Sequence, residues 1–143
     1  MSTMEITRQL VVFSLGEEEY ALPITSVQEI IRYTEPRAVA SEHHWIRGVI
    51  SLRGKIVPVC DLKARLGLPS TLAEDAKIVI VETSNGTAGV VVDDVDEVLS
   101  VDTGQLDEVP GAGADCIEAV AKIEDRLVIL LDADGIFAGF EIG

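Results

Sequence analysis

The chain has 143 residues, enough for one domain, and 48% are hydrophobic but only 4% aromatic, so its core must be aliphatic and suited to strands. The formal net charge of −14 sits almost wholly in one half: residues 1–77 carry ten acidic and nine basic side chains, residues 78–143 fifteen and two. A field of that sign repels phosphate backbones and anionic headgroups, which argues against nucleic-acid binding and direct membrane insertion.

In chain order, residues 10–31, LVVFSLGEEEYALPITSVQEII, read as a strand, a turn at Gly16-Glu17-Glu18, a second strand, and a third with a V-x-E pattern at Val27 and Glu29. A loop over residues 34–45 follows. Residues 48–68, GVISLRGKIVPVCDLKARLGL, carry two apolar strands (48–52 and 55–60) joined by a tight Arg53-Gly54 turn that places a cation at the strand edge. Asp61 stands where a helix N-cap belongs, Leu62 and Leu66 share one helix face, and Gly67 and Pro69 supply a stop. Residues 78–99 again read as strand, turn, strand, strand, here with the strong hairpin signal Asn85-Gly86. The loop over residues 102–116, DTGQLDEVPGAGADC, is rich in Gly, Pro and Asp and is expected to be mobile. A last strand pair ends in a helix over residues 132–137, with Asp132 as its cap and Gly139 as its stop.

These elements are an internal duplication. Residues 10–31 align without gaps on 78–99, with Val27 and Glu29 on Val95 and Glu97. Residues 47–62 align without gaps on 118–133, with Val49 on Val120, Val57 on Val128 and Asp61 on Asp132. A period above 60 residues, occurring twice, indicates a duplicated barrel-like unit and not a solenoid. What the copies do not share is informative: Arg53-Gly54 falls on Glu124-Asp125, so the cationic turn is specialised.

Catalytic and metal readings find little support. His43 and His44 are adjacent, which points them in different directions on either a strand or a helix, and no other ligand type has zinc-site spacing. Asp132-Ala133-Asp134-Gly135 imitates the start of a calcium loop but lacks the later oxygen ligands and the closing Glu, so a helix cap is the better reading. The Asp93-Asp94 and Asp96-Glu97 pairs lie in a heavily acidic half, where solvated charge is the default. No phosphate loop or nucleophile motif occurs, and an enzymatic or small-molecule barrel would need a deep polar cavity with convergent titratable groups. No apolar run reaches the ~18 residues of a membrane span. The start, MSTMEITRQ, lacks the basic-then-apolar order of a signal peptide, and Cys60 and Cys116, without motif spacing, read as reduced thiols of a cytosolic protein.

The Leu52-Arg53-Gly54 turn followed by Ile56-Val57-Pro58-Val59, Asp61 and Leu62 resembles the CheW family of chemotaxis coupling proteins, whose signature is an LRG turn followed by IVPV-D-L. The likeness extends from about residue 8 to residue 137. Ser51 stands where the family usually has Asn, and residues 41–44 stand where it commonly has a Pro. The resemblance implies a mainly β fold of two SH3-like barrels related by a pseudo-twofold internal duplication, with short helices. The first barrel unit is expected at about residues 8–67 and the second at about 76–139, within a single domain whose chain is free to cross between them. It implies a noncatalytic, cofactor-free adaptor that joins the cytoplasmic tips of chemoreceptors to the regulatory domain of a CheA-type histidine kinase. Such a protein is cytoplasmic and is recruited to membrane receptor arrays through protein contacts. The same role in a related pathway, controlling surface motility or second-messenger output, is the alternative.

Carried over residue by residue, the receptor-binding groove comprises Val27, Glu29, Arg53, Gly89, Val95 and Val98, with Gly54 supporting the turn. The valines serve a barrel core equally well, and Gly89 suits a close strand approach. Arg53 in an exposed turn has no core duty, and its alternative is a salt bridge to a nearby carboxylate.

Overall fold

A computed structural model describes residues 7–108 and 116–140. Among them the chain forms β1 (Thr7–Leu15), β2 (Glu18–Pro23), β3 (Val27–Arg32), β4 (Ile46–Leu52), β5 (Lys55–Asp61), α1 (Leu62–Arg65), β6 (Lys77–Thr83) and β7 (Gly86–Val92). It continues through β8 (Asp94–Asp102), β9 (Leu106–Asp107), β10 (Ile117–Ile123), β11 (Arg126–Leu131) and α2 (Ala133–Ile136). The fold is mainly β, with a six-stranded sheet ordered β8-β1-β2-β11-β10-β9 and a five-stranded sheet ordered β3-β6-β7-β5-β4.

The sheets do not divide where the sequence repeats divide. In the six-stranded sheet, β1 and β2 of the first copy join β8, β10 and β11 of the second; in the five-stranded sheet, β6 and β7 of the second copy join β3, β4 and β5 of the first. Each copy thus donates its opening hairpin to the other's barrel. The registers repeat with the same exchange: Val12 lies opposite Glu97, and its repeat mate Ile80 opposite Glu29; Phe13 lies opposite Val95, and Val81 opposite Val27. Both pairings carry a register shift at this point, so the bulge itself is duplicated. Equally matched are two parallel pairs, β2 with β11 and β7 with β5, in which Ala21 faces Leu130 and Gly89 faces Val59.

Alternation along the strands explains the packing, because successive side chains point to opposite faces. Leu10, Val12, Ala21, Ala121, Val128 and Leu130 fill the six-stranded barrel. Val57, Val59, Ile78, Ile80 and Val91 fill the five-stranded one. The opposite faces supply Phe13, Leu15, Tyr20, Leu22, Cys60, Val79, Val81, Val90 and Leu131 to a third and largest core between the two barrels. Burial on both faces is why β1, β6 and β7 read as near-continuous apolar runs. Burial in this core raises the Cys60 thiol well above its ordinary range, with the Asp61 carboxylate adding to the effect.

The hairpin tips are pinned to the barrels by carboxylates. Gly16 donates its N–H to Asp93 at 2.6 Å, and its repeat mate Ser84 donates to Asp134 at 2.7 Å. Asp93 also receives Lys63 at 2.7 Å, in a pair largely shielded from solvent. From the same short helix as Lys63, Arg65 donates to the carbonyls of Ile136 and Gly135 and lies over the Trp45 ring. His43 is absorbed there too, against Trp45 and Phe140 and within 3.2 Å of the Gly139 carbonyl.

The two helix starts differ, contrary to the sequence expectation. Asp61 accepts the Ala64 N–H and also meets Arg47 and Ser70, whereas Asp132 occupies the N-cap position without a side-chain cap bond. The carboxylate of α2 that is engaged is Asp134, committed to the hairpin tip. The loop over residues 34–45 is partly ordered by a bridge from Arg37 to Val49, matched in the second copy by Asp107 opposite Val120. Of the loop over residues 102–116, positions 109–115 lie outside the described residues.

Gly48 permits the Arg37 bridge: its φ is +149°, and a Cβ there would fall 2.1 Å from the Arg37 carbonyl oxygen. Gly48→Ala is expected to lower stability by roughly 2 kcal/mol or more, whereas Gly54→Asn, at φ +80° with nothing within 4 Å of a Cβ, costs little; denaturant midpoints of both variants check this. Asp61→Ala is expected to cost about 1–2 kcal/mol through the lost cap, and Asp132→Ala much less, in the same unfolding experiment.

Candidate protein-docking site

The β4–β5 turn is two residues long, with φ +51° at Arg53 and +80° at Gly54. Both central residues in the left-handed region define the hairpin turn whose twist matches its strands. Gly54 adopts this conformation freely, while Arg53 does so at a cost that the hairpin imposes. The conformation belongs to the repeat, since Glu124 at the equivalent position has φ +55°. The left-handed first position is therefore shared by the two turns, whereas Asp125 does not repeat the positive φ of Gly54 and the chemistry differs as well.

Arg53 projects from this turn with a side chain 74% exposed and forms a two-pronged ion pair with Glu29 on β3. Its Nη2 donates to Glu29 Oε1 at 3.0 Å while Nη1 donates to Oε2. The hydrogen bond and charge of Glu29 raise the affinity of the guanidinium for its proton. Such a fork holds both planes in register, but at this exposure it adds little to stability and acts mainly on geometry. The two strands it joins each carry an apolar side chain in solvent: Ile56 on β5, 69% exposed, and Ile30 on β3, 42% exposed.

The remaining sequence-predicted positions fall in different environments. Val27 and Val95 are half-buried and reach the core between the barrels from opposite sheets. Val98 is exposed on β8. Gly89 is not on a surface: it is buried in the middle of β7, where a Cβ would come within 2.8 Å of Ile78 Cγ2 and 3.5 Å of Ile80 Cδ1. Its small size there serves packing, matched by the small Ala21 in the other barrel. Structure thus brings Glu29 and Arg53 into contact, sets Val27 and Val95 on the shared core, and separates Gly89 from both.

Ile30 and Ile56 were not singled out by sequence reasoning, although the signal was present. The repeat alignment puts Ile30 on Val98 and Ile56 on Leu127, and all four are exposed. An apolar residue kept at the same outward position in both copies marks a surface and not a core.

Electrostatics of the equivalent region in the six-stranded barrel are inverted. Glu124 and Asp125 occupy the turn, and the arginine stands two places further on, at Arg126. It donates to Glu19 through Nε at 3.0 Å and Nη2 at 2.8 Å, and to Glu97 through Nη2 at 2.7 Å. Hydrogen bonding to Arg126 holds the Glu19 carboxyl below its ordinary range. Among the described residues no group of three or more His, Cys, Asp or Glu side chains could hold a metal ion, and no helix is long and apolar enough to cross a membrane.

Comparison with known proteins accords with this architecture. A solved structure, that of the scaffolding protein TtCheW from Thermoanaerobacter tengcongensis, superimposes with a TM-score of 0.85 at 34% identity, over 92% of this chain and 88% of that one. The chemotaxis protein CheW of Bacillus subtilis is 32% identical over 133 residues, covering 90% of this chain and 85% of the relative. Its namesake in Klebsiella aerogenes is 30% identical over 142 residues, covering 96% and 86%. The model of the CheW-like domain matches residues 9–141. With the family model spanning nearly its whole length and relatives above 30% identity along it, the chain belongs to the CheW-like family.

Proposed function

We propose that the chain is a noncatalytic adaptor that binds the helical cytoplasmic tip of a chemoreceptor and the regulatory domain of a CheA-type histidine kinase, and so passes receptor state to the kinase. The observation that carries this reading is the Arg53 turn. A guanidinium has five N–H donors, and Arg53, three-quarters exposed, engages a single carboxylate, Glu29. It retains donors for a helix's carboxylates or terminal carbonyls, beside exposed Ile56 and Ile30 as apolar anchors. Arg126, in the equivalent region and about half as exposed, divides three bonds between two carboxylates of its own chain. Names borne by the relatives support a chemotaxis setting, and the similar solved protein is described as a scaffold.

In this reading Val27, Glu29, Arg53, Val95 and Val98 contribute to the receptor contact, with Gly54 shaping the turn and Gly89 acting only through packing. The acidic second half speeds encounter with a basic partner surface at low salt. The protein works in the cytoplasm and reaches membrane receptor arrays through protein contacts.

Arg53→Glu sets two carboxylates against each other and removes the free donors, so affinity for a purified receptor cytoplasmic fragment should fall about tenfold or more while the melting transition stays cooperative. Arg53→Ala, without the repulsion, should fall less. A fragment that binds Arg53→Glu as it binds wild type would refute the site.

A further inference from the structure

The six-stranded barrel carries a second arginine site that the adaptor reading leaves unused. Among the described residues strand β8 ends the sheet order and pairs with β1 alone, through a register shift between Val12 and Phe13. That shift falls beside Glu97, so the edge strand is locally irregular where Arg126 reaches it. Four carboxylates gather near it: Asp94, Asp96 and Glu97 on β8 and Glu19 on β2. Burial, and then Asp94, Glu19 and Glu97, push the Asp96 carboxyl above its ordinary range. Lys77 meets Asp94 at 3.6 Å, and Arg126 at the start of β11 serves the others, with two bonds to Glu19 and one to Glu97.

We infer that Arg126 is a positioning residue: by clamping Glu97 to Glu19 it fixes the edge strand β8, and with it exposed Val98, in the conformation that meets the receptor helix. The inference rests on the adaptor reading. Its physical basis is that one planar fork bridges two strands of the same sheet that are not neighbours, β8 and β2, with β1 between them. Without the guanidinium, Glu19, Asp96 and Glu97 repel one another across that gap, at the point where the β8–β1 ladder is bulged. Glu29 and Glu97 are repeat mates, so each barrel ties its edge-strand glutamate to an arginine of its last hairpin. In the five-stranded barrel that arginine faces solvent; in the six-stranded barrel it is consumed in holding the strand.

The test pairs receptor-fragment titrations with amide hydrogen exchange on full-length wild type, Arg126→Gln and Arg126→Lys. Arg126→Gln should bind the fragment about tenfold more weakly, with exchange accelerated at Glu97, Val98 and Leu99 and unchanged at Ile78, Val79 and Ile80. Arg126→Lys should fall between, because an ammonium cannot present a fork to two carboxylates. Wild-type affinity in Arg126→Gln, or affinity lost together with uniformly faster exchange, would overturn the positioning role. Wild-type protein that binds no fragment would instead overturn the adaptor reading, while the exchange pattern would still decide whether the clamp exists.

Discussion

The core between the two barrels is the constraint from which the rest follows. Phe13, Leu15, Tyr20 and Leu22 from one donated hairpin and Val79, Val81, Ala88, Val90 and Val92 from the other meet there, together with Cys60, Leu62, Leu131 and Ile136. Each hairpin is at once a wall of the partner copy's barrel and half of the shared interface. Neither sequence repeat can therefore complete a barrel from its own strands, and the molecule folds as one unit. The exchange also accounts for the small residues Ala21 and Gly89 at matched places in the parallel pairings, where a larger side chain at position 89 would meet Ile78.

A frame of this kind fixes backbone more tightly than surface. The two hairpin turns share a left-handed first position, yet one presents Arg53 there and the other Glu124. Both edge strands keep a glutamate and an outward apolar residue at the same register, Glu29 with Ile30 and Glu97 with Val98. Moving the arginine from the turn itself to a position two residues later changes it from a group that meets one carboxylate and solvent to one that bridges two carboxylates. One duplicated shape thus offers two different chemistries, and the strongly acidic second half is the charge record of that divergence.

Much of this was legible in the sequence. Strand boundaries around the Arg53 turn, the Asp61 cap, the Gly67 stop and the repeat all rest on local chemistry, and the structure reproduces them with φ +77° at Gly67 and the Asp61 cap bond to Ala64. The exchange of hairpins was not legible, because an alignment says which strands are equivalent and is silent on which copy each one pairs with. The Glu29–Arg53 contact spans 24 residues and forms only when β3 and the β4–β5 hairpin close one barrel. The burial of Gly89 was not legible because a glycine in an apolar strand has the same sequence whether it faces a partner or a neighbouring side chain. Asp132 misled for a related reason: its repeat mate caps a helix, but Asp134 is the residue drawn into a tertiary contact.

The proposed coupling requires this protein to hold receptor and kinase at the same time. Sedimentation of the purified chain with a receptor cytoplasmic fragment and a kinase regulatory domain, alone and together, at low and moderate salt, decides it. A ternary species larger than either binary complex, more abundant at low salt, is expected. Competition, with each partner displacing the other, would rule the coupling out.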